Sequence, residues 1–396
     1  MLKAGRLIGG ILLISGTTIG AGILALPIST SQSGFFPSSC LLILCWFFML
    51  VSAFFFLDVN LAVKGEPNLI SMAGRTLGTW GKGVSWVFYL LLLYSLTAAY
   101  ISGSTPIFTH AIFSLTGVVL PPSVGHFMLP IIFGGFIYLG TLGVDYVNRI
   151  LMVGLIIAYF MLIGFVPSGE SNYLFRADWS LLYSGITVVV TAFGYHIIIP
   201  SLTTYMDHDA KKMRIAILVG SSIPLIVYLT WNYLIFSAIS QDQMLLALQN
   251  GEGATAPLSR IVKHPLLGVI AQFFAFFVIV TSFLGVTLSL SDFLTDGFKI
   301  KKSWEGRLIA CALTFIPPLV FVFTYERGFY MALEYGGTFI AVLLIFLPAM
   351  MAWKLRSHKF YGSPLGKAVL LLVMLFALFV FSIDFLEKFG VMKAIF

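Results

Sequence analysis

Apolar residues run through this chain in long blocks, with short polar segments between them. Eleven blocks approach the roughly 20 residues a helix needs to cross a bilayer core. They are residues 7–28, 35–59, 84–115, 127–142, 150–166, 181–199, 215–239, 266–294, 308–323, 329–353 and 369–385. The third is long enough to tilt strongly or carry an extra turn. Two polar segments stand out. Within 61–83, the stretch NLISMAGRTLG has apolar residues at helical spacing and predicts a short surface helix. Within 240–264, QDQMLLALQ precedes the Gly-rich NGEGATAP, a short helix plus hinge that reads as a lid or as a plain connector.

Composition agrees with this pattern. Of 396 residues, 59% are hydrophobic and 10% charged, against about 25% charged in a soluble domain. The chain reads as an all-α integral membrane protein with about eleven transmembrane helices. The net charge of +7 sits in short loops, so nucleic acid is not implied and the lipid bilayer is the expected partner. With the N-terminus inside, only Arg176, Arg260, Lys263, Arg327, Lys388 and Lys393 of the 23 basic residues fall outside. That bias predicts a cytoplasmic N-terminus and a periplasmic C-terminus. The first apolar run continues without a small-residue cleavage site and reads as a retained span rather than a leader. Cys40, Cys45 and Cys311 lie in apolar stretches without metal-ligand spacing and read as packing residues. No metal or cofactor is expected.

Two spans are interrupted at matching points. The first reads ISGTTIGAGILALP over 14–27, and the sixth TAFGYHIIIPSLT over 191–203. Glycine-rich backbone at mid-bilayer leaves N–H and C=O groups unpaired, which is tolerated where they line a cavity. Around Thr17, Thr18, Gly20, Ala21 and Gly22, one half-helix would end in free carbonyls and the next begin with free N–H groups. The carbonyls suit an ammonium or small cation, and the N–H groups a carboxylate. The bland alternative is GxxxG packing through Gly16 and Gly20. In the sixth span, Gly194 is the expected unwinding point. Phe193 and Tyr195 would bring rings, and His196 an ionisable group able to exchange a proton near neutral pH. A neutral His196 bonded to a freed carbonyl is the other reading.

Five spans follow each break, so the halves are expected in opposite orientations. That is the 5+5 inverted repeat of LeuT-type transporters: repeat one over 7–166, repeat two over 181–353, and an extra helix at 369–385. In such a fold the eighth span packs on the broken first helix. Its Thr281 and Ser282 could ligate sodium, or only bond neighbouring helices. Asp292 near its end is a candidate for ion coupling. Tyr94 and Thr97 of the third span are candidates for lining the pocket. Asp58 and Arg149 are candidates for an inner gate.

These residues resemble the hydroxy and aromatic amino acid permeases, and within them the bacterial tyrosine-specific transporters. The resemblance runs through GTTIGAGILALP, LTAAYISG (96–103), FGYH with IPS and YMD after it, TSFLGVTLSLSDFL (281–294), TFIPPL and YERGF. It implies import of an aromatic amino acid across a bacterial inner membrane with a proton. A tryptophan-specific or broad aromatic permease and a sodium-coupled symporter are the alternatives. The lysine that some members of the wider superfamily carry in the fifth span has no counterpart at 150–166. A passive pore, a membrane enzyme and a sensor are rival classes, but no acid cluster, metal set or signalling segment supports them. Oligomeric state is not readable.

Overall fold

The structure is a computed structural model that describes residues 2–63, 65, 67–139, 141–166, 172–261, 265–301, 303–325, 327–355 and 359–388. Lys64, Lys263, Lys302, Arg356 and Lys393, counted above for orientation, and Glu326 of YERGF lie outside the described residues.

The chain is helical almost throughout. α1 (Leu2–Thr18) and α2 (Gly22–Ser29) are two halves of one apolar segment, followed by α3 (Phe35–Ala62), α4 (Leu69–Thr116), α5 (Pro122–Leu139) and α6 (Thr141–Phe165). Then come the short α7 (Ile186–Ala192) and α8 (Ile199–Tyr205), the long α9 (Ala210–Ala238), and α10 (Gln241–Gln249) and α11 (Thr255–Ile261) in a connecting segment. The remainder is α12 (Pro265–Gly297), α13 (Trp304–Thr324), α14 (Gly328–Ile340), a π-helical turn (Ala341–Phe346), α15 (Leu347–Trp353), α16 (Lys359–Gly362) and α17 (Pro364–Lys388).

Among the described residues nine helices are long and apolar enough to cross a membrane, or ten if the bent pair α1–α2 counts as one span. The fourth expected block forms α5, which starts before Phe127 and is not in that set. Leu12, Ile131, Phe160, Val320 and Leu375 are each more than half exposed on the outer faces of their helices. Apolar surface of this extent is what a bilayer covers.

Ends are set by local chemistry. Asn68 Oδ1 accepts from the Ser71 N–H at 2.9 Å and starts α4. Gly78 then kinks α4 with φ of 77°, a left-handed value that favours glycine. The segment 69–77 is thereby set off from the long span after it, where the sequence predicted a surface helix. Asp209 caps α9 by accepting from the Lys212 N–H at 3.1 Å. Hydrogen bonds from Lys212 hold the Asp209 carboxyl below its ordinary range.

Some expected boundaries move. The sixth span was placed at 181–199, but its helical part runs Ile186–Tyr205. α6 begins at Thr141 rather than at 150, so Arg149 lies inside a helix, on its exposed face, rather than at a span start. Cys40 is exposed, not buried; Cys45 is buried and Cys311 half-buried.

Candidate functional site

α1 stops at Thr18 and α2 resumes at Gly22, with the two axes bent by 53°. The first bonds of α2 are tight ones, Ile23 N to Gly20 O at 3.0 Å and Leu24 N to Ala21 O at 3.1 Å. The Gly20 N–H points at the Tyr228 hydroxyl, and the N–H groups of Ala21 and Gly22 make no backbone hydrogen bond among the described residues. They open the second half-helix, where an anion is favoured by both the free donors and the dipole.

The sixth span is interrupted over 193–198: α7 ends at Ala192, and a single 3-10 turn, His196–Ile198, leads into α8. The two interruptions touch. A Cβ on Gly22 would lie 3.1 Å from the Cβ of Ala192 and 3.3 Å from its Cα, so any side chain here presses the two breaks apart. Tyr228 of α9 closes the junction. Its hydroxyl lies 2.6 Å from the Thr18 carbonyl oxygen and 3.0 Å from that of Ala192. The Phe193 ring meets the Tyr228 ring edge-on at 5.4 Å.

The third and eighth spans face this junction. A Cβ on Gly20 would lie 3.0 Å from Ser282 Oγ of α12. Tyr100 of α4 is buried beside Ser282 and close to Tyr228. Thr281 and Ser282 donate within α12, Thr281 to Phe277 O and Ser282 to Val278 O, both at 2.8 Å.

The other expected residues sit elsewhere. Tyr94 turns away and donates to Leu313 O of α13 at 3.0 Å. Thr97 is buried and donates to Leu93 O in its own helix. Thr17 is exposed, with its hydroxyl folded back on Leu13 O, whereas Thr18 is buried and donates to Ile14 O. Gly194 packs under Ile340, at the point where α14 passes into the π-helical turn. Tyr195 and His196 are fully buried. The Tyr195 hydroxyl faces Ser221 and the His196 ring faces the backbone of Met49, neither at full hydrogen-bond geometry. The His196 ring lies edge-on to Phe56 of α3 at 6.2 Å and tilted on Tyr195 at 5.0 Å.

Arg214 and Tyr361 are the described partners of Asp58. Its Oδ1 accepts from Arg214 of α9 at 2.8 Å and its Oδ2 from the Tyr361 hydroxyl at 2.5 Å. Burial, then the bond to this carboxylate, push the Tyr361 phenol up. Arg6 pairs with Asp207, tying the start of α1 to the turn after α8. Asp292 is exposed near the end of α12. At the opposite end the Gly-rich segment reaches down onto α2: Ala254 N–H donates to Leu24 O at 2.9 Å, and Tyr330 of α14 donates to Glu252 O at 2.7 Å. Above the junction lies a cavity of about 260 Å³ whose floor includes Gly103, Ile279 and Phe329.

Residues 3–384 match the tryptophan/tyrosine permease family. The chain belongs to that family. The permease is 31% identical to tyrosine-specific transport system 2 of Haemophilus influenzae, over 100% of both chains. It is 32% identical to tyrosine-specific transport system 1 of the same organism, over 97% of this chain and 98% of that one. A tryptophan-specific transport protein of Haemophilus influenzae is 30% identical over 91% and 92%. Among solved structures, a mutant manganese transporter of Eremococcus coleocola superposes with a TM-score of 0.61 at 13% identity. That match covers 96% of this chain and 87% of that one, and it is a likeness of fold alone. The permease is therefore a multi-pass membrane transporter rather than an enzyme.

Sequence reasoning singles out Tyr100 in the stripe at 94–104 of the third span, but not Tyr228, Ala192 or Arg214. The signal for Tyr228 was a polar stripe with Trp231 and Asn232 at helical spacing in the seventh span.

Proposed function

We propose that this permease imports an aromatic amino acid, most readily tyrosine, across the bacterial inner membrane together with a proton. The observation that carries the reading is the meeting of two interrupted helices at Tyr228, with half-helix carbonyl ends and free N–H groups at one place. In this reading the substrate carboxylate takes the N–H groups of Ala21 and Gly22. Its ammonium takes the carbonyls of Thr18 and Ala192. The ring lies toward Phe193, Tyr100 and the third span. His196, fully buried beside the second break, is the candidate proton carrier. The similarity to tyrosine-specific transport systems supports the choice of substrate.

The architecture that fits this use is a LeuT-type fold of eleven spans, with inverted repeats at 7–166 and 181–353 and an added helix at 369–385. The N-terminus faces the cytoplasm and the C-terminus the periplasm. Asp58 with Arg214, and Arg6 with Asp207, close the inner side. The lid residues that bond Leu24 and Tyr330 close the outer side. The test is uptake of labelled tyrosine and tryptophan into proteoliposomes under an imposed pH gradient. Concentrative uptake that survives replacement of sodium by potassium supports the reading. Uptake no higher than in the no-gradient control overturns proton coupling, and loss on sodium replacement shifts the coupling to sodium.

A further inference from the structure

The cavity over the junction is more than an entrance. It lies between α2, α4, α11, α12 and α14, and its volume of about 260 Å³ suits one amino acid rather than a peptide. Its walls divide by chemistry. Leu24, Ile107, Ile279 and Phe329 make an apolar floor, and Phe329 is seated so closely on α4 that a Cβ on Gly103 would lie 2.8 Å from its ring. On the rim, Glu252 of the lid pairs with Arg260 of α11. Facing them, Gln272 Nε2 lies 2.9 Å from Nδ1 of His110. The floor is one helical turn from the junction on two elements at once. Gly103 follows Tyr100 by about a turn on α4, and Ile279 precedes Ser282 by about a turn on α12.

We infer that this cavity is a second, outer binding site that holds one aromatic amino acid as a zwitterion before the lid opens. The inference rests on the proposed transport of aromatic amino acids. Arg260 takes the carboxylate, Glu252 takes the ammonium, and the ring lies on Phe329 and Ile279. An acid and a base that pair with each other in the empty cavity match the two charged ends of a zwitterion. Exchanging one pairing for the other is cheap, because an ion pair open to water contributes little. The device also couples occupancy to the lid. The backbone of Glu252 accepts from Tyr330, and the N–H of Ala254 holds Leu24 of α2. A ligand gripped by the Glu252 carboxylate therefore bears on the segment that closes the path to Gly22.

The test is equilibrium binding of tritiated tyrosine and tritiated tryptophan to the purified full-length permease in lipid nanodiscs, read as moles bound per mole of chain. Wild type is expected to bind a second molecule per chain, about tenfold or more weaker than the first. Arg260→Gln removes the rim cation, and Ser259→Trp fills the cavity without touching either charge. Each is expected to abolish the second molecule and leave the first. Gly22→Leu is expected to abolish the first and leave the second. A wild-type stoichiometry of one, unchanged in number and affinity by Arg260→Gln and Ser259→Trp, overturns the outer site and leaves the central one standing. No binding of either amino acid to wild type overturns both.

Discussion

The Tyr228 hydroxyl lies 2.6 Å from the carbonyl oxygen of Thr18, the last residue of the first half-helix. The Tyr228 hydroxyl is also 3.0 Å from the carbonyl oxygen of Ala192, the last residue of the half-helix before the second break. One side chain from the seventh span thus holds together the ends of two helices more than 170 residues apart. A phenol has one proton to donate, so it satisfies one carbonyl at a time and leaves acceptor capacity at the other. That remaining capacity faces the place assigned to the substrate ammonium.

Tyr228→Phe keeps the ring against Phe193 and removes only the hydroxyl. A lost hydrogen bond that leaves a buried carbonyl unpaired costs about 1–3 kcal/mol. Uptake of labelled tyrosine is expected to fall about tenfold or more, at unchanged amounts of inserted protein. Wild-type uptake by this variant would remove Tyr228 from the account.

Gly20 and Ser282 form a steric pair, with 3.0 Å between a Cβ at position 20 and Ser282 Oγ. Gly20→Ala alone is expected to impair uptake. Adding Ser282→Ala removes the clashing oxygen and is expected to restore much of the loss, a non-additivity that a double-mutant cycle reads directly. Additive losses would show that the two residues are not in contact during transport.

The ion pair of Asp58 with Arg214 ties α3 to α9. The Asp58 side chain is 9% exposed and that of Arg214 is 52% exposed, so solvent screens the pair in part. Asp58→Asn and Arg214→Gln are each expected to lower the melting temperature in detergent by about 2–5 °C. The double variant is expected to fall short of the sum. Arg149→Gln, which leaves this pair intact, is expected to leave the Asp58 coupling unchanged; a loss of that coupling would restore Arg149 as its partner.

His196 separates proton carriage from substrate binding. If the imidazole carries the proton, His196→Ala loses uptake driven by a pH gradient while tyrosine–tyrosine exchange is retained. Equal loss of both activities would make His196 a binding or packing residue instead.

Much of the bundle was legible because helices that cross a bilayer must be long and apolar. The first break was legible from SGTTIGAG, since glycine and threonine in an apolar run mark where backbone leaves the helix. The ends of the sixth span were not. Thr203, Thr204 and Tyr205 look like loop residues, yet they are helical, and both threonine hydroxyls find their acceptors one turn back in the same helix. Pairing across the bundle was not legible either. Asp58 and Arg214 lie 156 residues apart, and nothing local selects Arg214 over Arg149. Tyr94 and Tyr100 show the same limit on one helix. Six residues of separation turn the first toward α13 and the second toward Ser282, and only packing decides which of them reaches the junction.

In the proposed mode of binding, backbone groups at the two breaks hold both charged ends of an aromatic amino acid. Competition against labelled tyrosine uptake by analogues lacking one end tests it most directly. Tyramine lacks the carboxylate, and 3-(4-hydroxyphenyl)propionate lacks the ammonium. The account predicts that unlabelled tyrosine competes and that neither analogue does so at the same concentration. Competition by either analogue as strong as that of tyrosine would contradict it.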